Sequence, residues 1–357
     1  MTIISHSFDI THVVGLGRNS RLPGGPPSLT GTVLQQQADA LSAGQWHVFS
    51  GETAIGLPSG FETFSSAYLY RSLGNSSDMW GPVHDWHPTL KRSFCIVDRT
   101  SLGEPYDMVA FGGYDAENHK WDIYSLPAES EAQLGRYIGA PHVYSGWCLA
   151  RDKNMFYRPR GELLHRYNLA TGTWDNINIT GGMGGGHAYL EGSGEIISLL
   201  SSGEVRALDV ETGITRSVGT FAGYTGRDLH IHGDCNTVRG EVMLLSDTRE
   251  FCIVDSTGIV QTGTMPIEAY GVDGAWRHSA MFYDPITGHY LVANRAGGVL
   301  WEYDPDADAW AQAFNASAIG FPWPNYDGFS IAVVPELNVI LWFDRANQRV
   351  YKHQAVL

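Results

Sequence analysis

The feature that most constrains this chain is a recurring unit of about 47 residues, in which an apolar run ends at Tyr-Asp or an equivalent pair, turns, and restarts at Trp or a β-branched residue. Tyr114-Asp115 leads to Trp121, and Tyr167-Asn168 passes through Ala170-Thr171-Gly172 to Trp174. Leu208-Asp209 leads to Thr215, Val254-Asp255 to Val260, and Tyr303-Asp304 to Trp310. Each unit divides further into short strands separated by Gly, Pro and Asp. In the clearest one, Arg277 to Tyr283, His289 to Asn294, Val299 to Tyr303 and Trp310 to Phe314 read as four consecutive strands. The same parse starts units near residues 84, 142, 187, 230, 278 and 328, and none carries a strong helical period. Six four-stranded antiparallel sheets predict an all-β fold, a six-bladed β-propeller, with seven blades as the alternative.

The last unit has only three strands, at Phe329 to Val334, Asn338 to Phe343 and Arg349 to Ala355. Its missing strand is supplied by the segment Ala40 to Phe49, which reads like the turn and fourth strand of the other units. A strand near residues 45–50 therefore closes the ring and removes an exposed sheet edge. Residues 1–39 are then an N-terminal arm or linker, extended through Arg21-Leu22-Pro23-Gly24-Gly25-Pro26-Pro27. Residues 40–357 form a single propeller domain, within which 50–83 is an insertion over one face or a degenerate blade.

Composition fits this architecture and excludes several partners. Forty-two glycines and 12% aromatics suit many tight turns between half-buried strands. Lys plus Arg number 23 against 38 Asp plus Glu, a formal charge of -15 with no basic run, which argues against nucleic acid as a partner. No apolar stretch is long enough to span a membrane, and Met1 to Asp9 lacks the pattern of a signal peptide. A soluble protein, virion-associated or cytoplasmic, is expected. Cys95, Cys148, Cys235 and Cys252 are scattered through apolar segments and read as free buried thiols.

The segment Gly112-Gly113-Tyr114 through Trp121 resembles the unit of kelch-type propellers, which combine a glycine doublet with a spaced Tyr and Trp. Trp174 and Trp310 recur without the doublet, so the resemblance covers residues 84–357 at the level of fold. It implies a propeller and leaves function open. The Trp86-His87-Pro88 and Tyr283-Asp284-Pro285 segments are also similar to divergent repeats of glycan-processing and phage virion propellers.

In a propeller the first strand of each blade lines the central channel, and the lead-in segments to those strands form one face. Here they carry His84, Asp85, Trp86 and His87; His142 and Tyr144; His187 and Tyr189; His230, His232 and Asp234; Trp276, Arg277 and His278; and Trp323, Tyr326 and Asp327. Seven of the 14 histidines fall in these segments. His230, His232 and Asp234 lie at i, i+2 and i+4, on one face of a strand, and could hold a divalent metal or present a general base oriented by a carboxylate. The glycine run from Gly181 to Gly186 lacks the Lys-Ser/Thr and helix of a phosphate loop, and reads as a flexible segment at the channel mouth. Trp121, Trp174 and Trp310 share one blade position and are expected to pack between sheets.

Three functions are compatible with these residues. The first is recognition of a glycan or another cell-surface ligand through Trp86, His87, His142, Trp276, His278, Trp323, Tyr326 and Asp327, as in a phage tail or virion receptor-binding component attached by the N-terminal arm. The second is a polysaccharide lyase, with or without a divalent metal. There His187 or His232 would be the base, Tyr144 or Tyr189 the acid, and Arg277 or Arg227 the partner of a substrate carboxylate. The third is a protein-interaction scaffold whose acidic surface favours a basic partner.

Overall fold

The computed structural model describes residues 33–50, 84–97, 110–115, 120–124, 147–184, 186–226, 231–246, 248–266, 280–294, 298–321, 330–343 and 347–354. Helix α1 (Val33–Ala40) precedes strand β1 (Trp46–Ser50). Blade I follows as β2 (His84–His87), β3 (Arg92–Val97), β4 (Ala110–Asp115) and β5 (Lys120–Tyr124). Blade II is β6 (Cys148–Ala150), β7 (Met155–Arg160), β8 (Leu163–Asn168) and β9 (Thr173–Asn178). Blade III is β10 (Gly186–Leu190), β11 (Glu195–Leu199), β12 (Glu204–Asp209) and β13 (Thr215–Thr220). Blade IV is β14 (His232–Asn236), β15 (Glu241–Leu245), β16 (Glu250–Asp255) and β17 (Gly258–Thr264). Blade V is β18 (Ala280–Asp284), β19 (His289–Asn294), β20 (Val299–Asp304) and β21 (Ala309–Asn315), with a one-turn helix α2 (Ala316–Ile319) after it. Blade VI is β22 (Ser330–Val334), β23 (Val339–Phe343) and β24 (Asn347–Lys352), and β1 is its fourth strand. The chain is a six-bladed β-propeller, not a seven-bladed one.

The repeat has a physical cause at each position. In three blades the spaced Tyr and Trp are directly opposite on the third and fourth strands: Tyr114 with Trp121, Tyr167 with Trp174, and Tyr303 with Trp310. The latter two pairs place ring centroids 4.8 Å apart. The Asp or Asn after the Tyr builds the turn. Asn168 accepts from the N–H groups of Ala170 and Thr171, Asp209 from Glu211 and Thr212, Asp255 from Thr257 and Gly258, and Asp304 from Asp306 and Ala307. One side-chain oxygen thus caps two backbone donors that the turn leaves unpaired.

Packing occurs between blades. Phe94 meets Trp147, Leu149, Phe156 and Tyr167 between blades I and II. Tyr157, Leu164, Tyr189, Ile196 and Leu208 fill the wedge between II and III. The wedge between III and IV is mainly aliphatic, from Ile197, Leu199, Val242, Leu244 and Val254, with Phe221 and Tyr224 against it. Aromatics return between IV and V as Phe251, Tyr290 and Tyr303, and between V and VI as Phe282, Phe314 and Trp342. Cys148, Cys235 and Cys252 are buried free thiols within these wedges. Burial raises the Cys252 thiol to about 12.

Inner strands of blades III and IV approach so closely that only glycine fits. A Cβ on Gly186 would lie 2.2 Å from the Ile231 side chain, and one on Gly233 would press on Leu244, the His187 carbonyl and Ala188. The last residue of the expected flexible run is therefore fixed by packing, and Gly184 donates its N–H to Ser198 at 2.9 Å.

The segment before the ring ends in a docked helix. Leu34 and Ala38 of α1 are buried, and Lys352 Nζ donates to the carbonyls of Ala38 and Leu337. Closure continues through the β1 to β24 ladder, Trp46 opposite Tyr351 and Ser50 opposite Asn347. Trp46 also packs on Phe321 at 5.8 Å and donates its indole N–H to the Ile319 carbonyl. Trp46→Ala is expected to lower unfolding free energy by about 3 kcal/mol in a urea titration, from lost packing and an orphaned carbonyl. A loss below about 0.5 kcal/mol, the scale of an ordinary surface substitution, would mean that this contact does not secure the closure.

Candidate functional site

The first strands β2, β6, β10, β14, β18 and β22 line the axis, one per blade. Their amino-terminal ends share one end of the channel. Their carboxyl-terminal ends, with the hairpins that follow, share the other. His142, Tyr144, Arg227, His230, Trp276, Arg277, His278, Trp323, Tyr326 and Asp327 lie outside the described residues. His84 and Asp85 belong to β2, opposite Cys95 and Phe94.

On β10, His187 and Tyr189 share the face toward blade II, while Ala188 and Leu190 face blade IV. His187 is 3% exposed, and its Nδ1 has no hydrogen-bond partner. Burial, aided by the positive charge of Arg158, pushes its pKa down to about 3, so the ring is neutral across the physiological range. Arg158 is itself buried, with its guanidinium carbon 4.4 Å from the centroid of the Trp147 ring. The Tyr189 hydroxyl donates to Asp152 at 3.2 Å, and burial followed by that carboxylate raises its pKa.

On β14, Asp234 faces blade V and takes two short backbone hydrogen bonds, from Cys235 N and Tyr283 N, both at 2.7 Å. His232 shares that face by alternation and is half-buried. Among the described residues no group of three His, Cys, Asp or Glu side chains converges as a metal site. His87, also buried, accepts from Leu90 N through Nδ1, and burial together with Arg151 lowers its pKa. Trp86 is 5% exposed and donates to the Glu336 carboxylate at 3.2 Å.

Trp86 and Asp234 line a cavity of about 100 Å3 that extends to the hairpins, where Pro88, Thr237, Pro285 and Pro335 join its wall. Arg151, just beyond β6, lines the same cavity. Its Nε donates to the Trp86 carbonyl at 2.9 Å and its Nη1 to Glu191 at 3.2 Å, joining blades I, II and III. Glu191 also accepts from the N–H groups of Arg151 and Asp152. Burial raises its pKa, and the Arg151 guanidinium opposes that rise. Arg151, Glu191 and Arg158 had no part in the site expected from sequence. Their one signal was a charged residue at or near an inner strand in a chain with 17% charged residues.

No protein-family model and no curated protein matches the chain. Among solved structures it is similar to a structural genomics protein of unknown function from Bacteroides thetaiotaomicron, at 12% identity and a TM-score of 0.52, over 86% of this chain and 76% of that one. It is also similar to a chain in the structure of a mitotic checkpoint complex, at 10% identity and a TM-score of 0.45, over 77% and 91% of the two chains. The former likeness is one of fold, and the latter carries no argument. The class defined by fold is the β-propellers. No helix among the described residues is long and apolar enough to cross a membrane.

The depressed His187 pKa has a thermodynamic consequence. An unfolded chain protonates this ring below 6.5 while the native one does not until about 3, so its contribution to stability is complete above 6.5 and is lost as pH falls. Between those limits each pH unit removes about 1.4 kcal/mol through this residue. Urea unfolding at pH 7, 6 and 5 should show a steeper acid loss for the native sequence than for His187→Gln, by about 1 kcal/mol per pH unit. Parallel slopes would mean that His187 titrates normally.

Proposed function

We propose that the protein is a recognition module, binding a glycan or similar surface ligand at the lead-in end of the channel through Trp276, His278, Trp323, Tyr326 and Asp327, with His142 beside them. What supports this reading is the six-bladed ring together with the sequence: six first strands surround one axis, the segments that precede them in sequence hold indoles, imidazoles and carboxylates able to stack on and hydrogen-bond a sugar, and ligands of β-propellers bind about such an axis. A ring of packed sheets that carries its connecting segments as binding elements suits recognition. Attachment to a virion or other assembly through the N-terminal arm, residues 1–39, belongs to the same reading, as does the kelch-like resemblance of the repeat.

The lyase alternative draws on His187 and Tyr189, and both are occupied between blades II and III. With a pKa of about 3, His187 is a weak base. Recognition asks nothing of either residue and is preferred for that reason. His232, Tyr144 and Arg277 remain the candidates for chemistry, with His230, His232 and Asp234 as the metal set.

A glycan array followed by calorimetric titration tests the proposal. Trp276→Ala and Trp323→Ala should each weaken the selected glycan about tenfold or more, with melting temperature unchanged. An array without a hit, or variants that bind like the parent, would overturn it. Shortening of the glycan during incubation would favour the lyase.

A further inference from the structure

We propose that the cavity at the hairpin end of the channel is a second binding site, for a free small molecule that is neutral and has a compact apolar body. None of the residues assigned to the glycan lines it, so it does not depend on that reading.

Its rim is built from one position of the repeat. The residue that follows the first strand is Pro88 in blade I, Arg151 in II, Glu191 in III, Thr237 in IV, Pro285 in V and Pro335 in VI, and all but Glu191 line the cavity. Residues from five blades can share one cavity only at the axis. Behind the rim the wall is made by Trp86, Phe282 and the run from Ile331 to Val333, all of them buried. At about 100 Å3 the space is far larger than one water needs. Apolar cavities of about 150 Å3 take up benzene, so this one suits a slightly smaller body. Lateral hydrogen bonds hold its walls apart: Arg151 Nε donates to the Trp86 carbonyl at 2.9 Å, and Tyr283 N to Asp234 and Asn236 Nδ2 to the Gly288 carbonyl, both at 2.7 Å. The three prolines stiffen the rim further, since their φ is fixed. The cavity therefore cannot close by collapse, and its apolar wall lacks the contacts that a filled core supplies. A ligand that fits gains those contacts and displaces water from apolar surface, at little cost in ordering the protein.

The charges in the wall decide that the ligand is neutral. Of the lining residues, Arg151 and Asp234 alone are charged. The Arg151 guanidinium pairs with Glu191 at 3.2 Å and gives its Nε to the Trp86 carbonyl. Asp234 accepts from Cys235 N on one carboxylate oxygen and from Tyr283 N on the other. Each of the two has a further interaction within the protein besides. A charged ligand would therefore give up its hydration to a wall whose complementary charge is already engaged, and would meet the like charge as well. A neutral molecule bears neither cost. Pro88 and Thr237 are exposed, so the mouth is wet and a single hydroxyl on the ligand keeps its hydration there.

The test uses the full chain, with ligand-observed NMR and calorimetry. Cyclopentanol should bind with a Kd of about 1 mM, and cyclopentylammonium and cyclopentanecarboxylate each about tenfold more weakly or worse. Thr237→Phe, at an exposed position of the rim, should lay a ring across the mouth and abolish binding with an unchanged melting temperature. Ala332→Val, which adds volume to the wall inside, should weaken cyclopentanol about tenfold. Trp276→Ala and Trp323→Ala should leave its affinity as in the parent, which separates failure of this site from failure of glycan binding. Either charged analogue binding as tightly as the alcohol overturns the proposal, as does no binding of cyclopentanol up to about 50 mM, or binding unchanged in both cavity variants. A leucine-bearing peptide that binds about tenfold tighter than cyclopentanol also overturns it, since the occupant would then be a partner's side chain.

Discussion

The structure depends on closure of the ring. Each blade is a sheet with two apolar faces, and each face is covered only by the next blade, so an open chain of blades leaves a bare face at both ends and an unpaired edge at β24. Pairing of β1 with β24 joins residues about 300 positions apart, at a loop-closure entropy that grows only with the logarithm of that distance. What it secures is far larger, because every wedge is held at the angle that six blades require. α1 reinforces the seam, since Lys352 binds both the end of the helix and the turn after β22.

A belt of polar contacts at the hairpin end crosses every junction. Arg151 reaches Trp86 and Glu191, Glu191 N approaches Cys235 Sγ at 3.4 Å, Asp234 meets Tyr283, His353 sits 2.7 Å from Asp284, and Glu336 binds Trp86. Apolar wedges are tolerant of small rotations, whereas hydrogen bonds weaken as their length and angle depart from the optimum, and the two shortest of the belt, at Asp234 and Asp284, are 2.7 Å. The belt therefore fixes the rotation of one blade on the next, while the wedges provide most of the burial. It also explains why the hairpin end holds a shaped cavity: the strand ends that line it are tied laterally.

Blade number, closing strand and strand boundaries in the clearest unit were legible in the sequence because each rests on a local rule. Tyr303 and Trp310 are seven positions apart because a four-residue turn capped by Asp304 sets them opposite, and the same count relates Tyr167 to Trp174. Leu208 and Thr215 keep the register after losing the aromatics, which is why the unit could be followed through a degenerate blade. The docked helix α1 was hidden, since its two buried contacts, Leu34 and Ala38, form too short a pattern to stand above the surrounding polar residues.

The site was less legible, for a reason peculiar to inner strands. Alternation ordinarily separates a buried face from a wet one, and on that rule His187 with Tyr189, or His232 with Asp234, point together into the channel. An inner strand of a propeller has a neighbouring blade on both sides, so its two faces are both interior, and alternation separates one neighbour from the other. His187 and Tyr189 accordingly meet blade II, Ala188 and Leu190 meet blade IV, and Asp234 meets blade V. Nor does alternation decide which side chains reach the axial cavity, since Phe282 and Tyr283, neighbours on opposite faces of β18, both line it. Trp86 reaches the cavity near the end of β2 and Asp234 from the middle of β14, positions that residue type and periodicity do not encode.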